Sequence, residues 1–207
     1  MRVTKMHGLG NDYVYLAPAR EDERDWPELS RRVSDRHFGV GSDGLILALP
    51  SNVADVRMRM FNADGSEAEM CGNGIRCLVK FAIEEGLVPA DRDEVTVETL
   101  AGIKTLRVIR ENGVVTAARV DMGPPSFDPA SLPAAVEGPG PVIDLPSPST
   151  AWTSASRSSA WATPRHPLRR RRPGRLPARA HRPARRASPL FPKRVNFQVV
   201  RCSTAAK

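Results

Sequence analysis

From Asn73 onward the apolar residues Ile75, Leu78, Val79, Ala82 and Ile83 recur at the spacing of one helical face, and Gly86 and Pro89 supply a stop. A helix is therefore expected to run from the glycine-flanked Asn73 to just before Gly86. Upstream, residues 56–61 set Val56, Met58 and Met60 against Arg57, Arg59 and Phe61, the period of two of a half-buried strand. Residues 2–6 and 13–17 read as strands joined by Gly8-Leu9-Gly10-Asn11-Asp12, where glycines on both sides of Leu9 allow a tight reversal. Further strands are expected at 45–49, 94–100, 104–110 and 114–122, the last two joined by the hairpin turn Glu111-Asn112-Gly113. Asp25-Trp26-Pro27-Glu28 opens a second helix with Asp25 as its N-cap. Leu29, Val33 and the stem of Arg36 are expected on its inner stripe, and Phe38-Gly39-Val40-Gly41 to end it. Several strands around a central helix give an α+β domain with a largely antiparallel sheet over residues 1–123.

Beyond residue 123 the pattern fades. Residues 124–148 are Pro-rich and read as a linker. Residues 149–188 are rich in Arg, Pro and Ala, include Arg169-Arg170-Arg171-Arg172, and are expected to be disordered. Charge makes the same division. The net +8 of the 207 residues averages two unlike parts. Residues 1–150 carry 16 Lys+Arg against all 23 Asp+Glu, hence −7; residues 151–207 carry the other 15 Lys+Arg and no acid, hence +15. A surface of one sign is unusual for a folded segment. The Arg-rich stretch could attract nucleic acid through its charge, but only non-specifically. Such a composition is also what a GC-rich coding region gives when read out of frame, and nucleotide sequencing would decide that. Three cysteines make no disulfide framework, there is no apolar run able to span a bilayer, and the start lacks the apolar core of a signal peptide. A cytoplasmic protein with no membrane association is expected.

The chemistry concentrates at Met70-Cys71-Gly72-Asn73-Gly74-Ile75-Arg76-Cys77. Cys71 lies just ahead of the expected helix, with the N–H groups of Gly72, Asn73 and Gly74 at the positive end of the dipole. That arrangement binds an anion such as a carboxylate and favours thiolate over thiol. Glycines flanking Asn73 let a ligand approach the backbone. A buried structural thiol gains nothing from such surroundings. Cys77, inside the helix, reads as a small buried hydrophobe instead. Asn11 and Asn62, the latter in Asn62-Ala63-Asp64-Gly65-Ser66, are turn residues by their chemistry alone. His37 is the best placed of the four histidines for acid–base work, but the reading favoured for it is a satisfied packing histidine near a helix end.

Four blocks in order, M-H-G-L-G-N-D at 6–12, D-R-H-F-G-V-G-S-D at 35–43, F-N-A-D-G-S at 61–66 and C-G-N-G-I-R-C at 71–77, resemble the diaminopimelate epimerase family. The resemblance runs to about Ile143 and returns at 189–200. It implies a sheet wrapped around the helix that follows the catalytic cysteine, and a second, pseudo-symmetric domain of which residues 189–207 would be a remnant. It implies interconversion of LL- and meso-diaminopimelate without pyridoxal phosphate, other cofactor or metal. Two cysteines would act from opposite faces of the α-carbon, one removing its proton and the other supplying one. The resemblance makes Cys71 one of that pair, and Asn11, Asn62, Gly72, Asn73 and Asn196 contacts to the small-molecule substrate. Some family members carry a substrate-contacting glutamine where this chain has Gly44. The second cysteine has no convincing match, because Cys202 in Arg201-Cys202-Ser203-Thr204 lacks a glycine cradle. Little or no epimerisation is therefore expected from this chain. The resemblance leaves a homodimer open. Two other readings compete: a related cofactor-independent amino-acid racemase, and a non-catalytic remnant with a basic nucleic-acid-binding tail.

Overall fold

The computed structural model describes residues 2–21, 24–123, 159–161, 163–169 and 196–200. The chain divides into two units, Met1–Met122 and Gly123–Lys207. In the first, β1 (Thr4–Gly8), β2 (Asn11–Leu16), β3 (Gly44–Leu49), β4 (Val56–Asn62), β5 (Glu67–Ala68), β6 (Glu94–Glu98), β7 (Lys104–Glu111) and β8 (Val114–Val120) form one sheet, with helices α1 (Trp26–Ser34) and α2 (Gly72–Glu84). The strand order is β1-β2-β3-β4-β6-β7-β8, with β5 paired to β4. All pairs are antiparallel except β2 with β3 and β4 with β6. The α+β expectation of a largely antiparallel sheet around a helix holds, since α2 packs against β1, β2, β3, β4, β7 and β8.

Helix α2 forms where the apolar spacing placed it, and it is buried on most sides: Ile75, Leu78, Val79 and Ala82 are fully buried and Phe81 nearly so. A helix apolar over so much of its surface belongs inside a sheet. Its end is a Schellman motif, with Gly86 at φ 72°, Leu87 N–H donating to Ala82 O (2.8 Å) and Gly86 N–H to Ile83 O (3.1 Å). Helix α1 begins as expected, with Glu28 N–H donating to the Asp25 carboxylate at 3.0 Å.

Three expectations are corrected here. Phe61 is fully buried rather than outward-facing. Helix α1 covers the outer face of the sheet, where Trp26 packs with Val14, Leu16, Leu45, Leu47, Leu49 and Phe61. With α2 on one face and α1 on the other, β3 is buried along its whole length. Arg36 lies past the end of α1, which stops at Ser34, where Asp35 caps the turn by accepting from His37 and Phe38 N–H. Its guanidinium forms ion pairs instead of lying on an inner stripe. His37 is exposed in that capping turn, not packed.

In the second unit β9 (Ser159–Trp161), β10 (Thr163–Arg169) and β11 (Asn196–Val200) form a three-stranded sheet in the order β11-β10-β9. Strands β9 and β10 fall inside the stretch expected to lack regular structure. Strand β10 pairs in parallel with β11, Arg165 opposite Asn196 through Arg169 opposite Val200. The 124–148 linker, the rest of 149–188 and Cys202 lie outside the described residues. Among the described residues no helix is long and apolar enough to cross a membrane.

Candidate active site

Cys71 is the N-cap of α2. Its backbone is extended (φ −127°, ψ 117°), and its sulfur accepts from Gly74 N–H at 3.4 Å. The residue is half-buried, unlike Cys77, which is buried six residues farther along α2. Burial pushes the Cys77 thiol up, which fits the packing role expected of it. Gly74 is small for a reason: a Cβ there would sit 2.6 Å from Ile46 Cδ1, so glycine lets the helix mouth seat against β3. The buried Tyr15 hydroxyl donates to Gly74 O at 3.1 Å and anchors the same turn.

The β1–β2 hairpin brings Asn11 to this mouth. At its tip Leu9 (φ 56°) and Gly10 (φ 83°) take the two left-handed positions of a type I′ turn. Gly8 therefore does not supply the turn's flexibility. A Cβ on it would lie 3.1 Å from Asn73 O and 3.3 Å from Asn73 Cβ, so Gly8 is the point where hairpin and α2 touch. Across that contact the Cys71 thiol donates to Asn11 Oδ1 at 3.3 Å. Cys71, Asn11 and Asn73 thus lie together at the start of α2. The Asn73 amide oxygen accepts from Arg76 at 2.6 Å. Gly72 is open on the side where a Cβ would sit, with Met122 Sδ the nearest atom at 3.8 Å.

Asn62 arrives from the end of β4. It pairs with Gly44 across the sheet, and the next residue, Ala63, donates its N–H to Asp43 O at 3.1 Å. The Asn62 side chain donates to Ser66 Oγ at 3.0 Å, closing its own turn. At Gly44 a side chain would run into Phe61 O and come within 3.0 Å of Tyr13 Cε1. Glycine is therefore required by the close pairing of β3 with β4, and a glutamine has no room. Asn196 begins β11 in the second unit, paired with Arg165, and its side chain lies outside the described residues.

Sequence reasoning missed two groups around Cys71. One is a polar network: Asn11 Nδ2 donates to Asp43 Oδ2 at 2.6 Å, Asp12 N–H donates to the same oxygen at 3.1 Å, and Arg36 spans Asp12 and Asp43. Lys5 adds a further ion pair to Asp12 at 3.2 Å. The Arg36 hydrogen bond, aided by Lys5, holds the Asp12 carboxyl well below the usual carboxylate range. The other is Tyr13, buried beside the sulfur. Burial, and then the neighbouring Cys71, raise its phenol well above the ordinary range and keep it a protonated donor. A cavity of about 570 Å³ lies farther along α2, between the sheet edges β1 and β8, lined by Arg76, Cys77 and Lys80 but not by Cys71.

This architecture recurs in solved structures. A hydroxyproline epimerase from Agrobacterium vitis matches with a TM-score of 0.62 at 16% identity, covering 89% of this chain and 56% of that one. A methylitaconate-delta-isomerase matches with a TM-score of 0.52 at 17% identity, covering 81% and 52%. The fold is therefore that of the proline racemase and diaminopimelate epimerase group, a sheet curled into a half-barrel about one helix. Sequence narrows it further. Residues 3–127 match the family described as diaminopimelate epimerase. A diaminopimelate epimerase of Methanococcus maripaludis is 54% identical over 144 residues, 70% of this chain and 51% of the relative. One from Pelotomaculum thermopropionicum is 41% identical over 207 residues, 99% of this chain and 72% of the relative. The chain belongs to the diaminopimelate epimerase family. It spans about half the length of the curated relatives it matches first, with 51% and 48% coverage in two of them.

Proposed function

We propose that residues 1–123 form the Cys71 half of a diaminopimelate epimerase site in the cytoplasm, serving lysine and cell-wall precursor synthesis. In this role Cys71 carries the proton to and from one face of the substrate α-carbon. The observation that most supports it is a half-buried sulfur at the N-cap of α2, in contact with Asn11 Oδ1 and Gly74 N–H. The substrate α-carboxylate lies against the N–H groups of Gly72 and Asn73, where the helix dipole and unpaired donors favour an anion. Those donors also steady the charge that spreads onto the carboxylate as the α-proton leaves. Asn11, Asn62 and Asn73 then orient the amino acid around the sulfur. Inversion of the stereocentre requires a second acid on the opposite face. Cys71 serves one of the two faces, so the step assigned to it is exchange of the α-proton.

The test is ¹H NMR of LL-diaminopimelate in deuterated water with the full chain and with Cys71→Ala. Loss of the α-proton signal that depends on Cys71 is the expected result. Exchange unchanged in Cys71→Ala would overturn the assignment. Proline run in parallel separates the related racemase reading, which requires faster exchange on proline.

A further inference from the structure

We propose that Asp43 is a positioning residue for the Cys71 thiol, fixing through Asn11 which end of the amide faces the sulfur. An asparagine side chain has a donor end and an acceptor end of nearly equal shape, so its environment must choose between them. Asn11 sits between Asp43 Oδ2 at 2.6 Å and Cys71 Sγ at 3.3 Å. A carboxylate only accepts, so it claims the amide NH₂ and leaves Oδ1 for the sulfur. Asp43 is held in turn. Its other oxygen accepts from Arg36 Nη2 at 2.9 Å, Oδ2 also accepts from Asp12 N–H at 3.1 Å, and its own N–H donates to Asp12 O at 2.7 Å. Arg36 is braced by two further bonds to Asp12, at 2.8 and 3.1 Å. The carboxylate therefore has fixed donors on both oxygens, and the amide cannot turn without breaking the charge-assisted bond to Asp43.

The consequence is directional. The sulfur accepts from Gly74 N–H on the helix side and donates to Asn11 on the hairpin side, so its proton is held at a defined place. With Asp43 neutralised, the Asn11 amide is free to turn its NH₂ toward the sulfur, and a thiolate gains a donor there. This inference rests on Cys71 being the proton carrier, but its test needs no substrate.

The experiment compares the full chain with Asp43→Asn, Asn11→Ala and the double variant. The Raman S–H stretch of Cys71 is taken as the difference from Cys71→Ala, and its iodoacetamide alkylation rate at one fixed pH is read by peptide mass. One exchanged hydrogen bond of about 1 kcal/mol corresponds to roughly a fivefold change in rate. Asp43→Asn is expected to weaken the bonded S–H band and to speed alkylation about fivefold, with neither change when Asn11 is already alanine. Arg36→Gln keeps the accepting carboxylate, serves as the second variant should Asp43→Asn fold poorly, and is expected to preserve the bonded S–H band. An unshifted band in Asp43→Asn, an effect that persists fully in the Asn11→Ala background, or loss of the bonded band in Arg36→Gln would overturn the role of Asp43. Each of those results leaves the proton-exchange assignment of Cys71 to be judged by its own NMR measurement.

Discussion

Leu9 holds φ at 56° on the tip of the β1–β2 hairpin. The left-handed region costs a residue with a Cβ about 1–2 kcal/mol, and a leucine has no local polar group to offset it. Burial does not repay that cost, because Leu9 is 89% exposed. Complete burial of a leucine side chain contributes about 1.5–3 kcal/mol, so the remaining tenth amounts to about 0.2 kcal/mol. Asparagine accepts this conformation and is the favoured residue of a type I′ turn. Leu9→Asn is therefore expected to stabilise the chain by about 1 kcal/mol. Leu9→Gly should gain about 0.5 kcal/mol, since glycine relieves the strain but adds freedom to the unfolded chain. Urea denaturation followed by circular dichroism reads both: the midpoint rises while the slope stays constant. An unchanged or lowered midpoint in both variants would refute the strain at Leu9.

Two further outcomes follow from the same geometry. Serine is a better N-cap than cysteine, whose sulfur reaches Gly74 N–H only at 3.4 Å, so Cys71→Ser should stabilise α2 by about 0.5–1 kcal/mol while abolishing proton exchange. A lower thermal midpoint in that variant would show that the cap is not where the cost lies. Asp55 has its carboxyl pulled below the usual range, first by the Thr96 N–H (2.8 Å), then by the Thr96 hydroxyl (2.7 Å), with Arg92 adding to it. A depressed folded-state value contributes stability that is full above the ordinary carboxylate range and is lost as pH falls through the folded value. Asp55→Asn should flatten the decline of the urea midpoint below about pH 4, and a decline of unchanged steepness would contradict it.

Helix α2 was legible because its signals are local: apolar spacing, a glycine stop and a glycine-rich start all lie within one stretch. The hairpin at Asn112 and Gly113 was legible for the same reason, and both residues take the left-handed conformation their turn needs. What failed to show was anything set by the partner across the sheet. In β4 the alternation of buried Val56, Met58 and Met60 with half-buried Arg57 and Arg59 holds, and Phe61 departs from it because nothing in that strand announces that α1 will cover that residue. Gly8 looked like a turn residue, although its smallness serves the contact with Asn73. The Asn11–Asp43 bond depends on β2 and β3 pairing in parallel across α1, a crossover that joins residues 32 apart. Ser42-Asp43-Gly44 reads as punctuation until that pairing exists. Cys71 stood out in the sequence, but the groups that aim its proton did not.

The 60 residues that separate Asn11 from Cys71 have a consequence for how the protein is made. Closing so long a loop, through the parallel β2–β3 pairing, is entropically slow compared with forming α2 itself. A chain in which α2 forms before the hairpin closes leaves the sulfur without Asn11 beside it. Damage to this residue should therefore accumulate in newly made or refolding chains more than in aged, folded ones, and reducing agent protects it most when present during those stages.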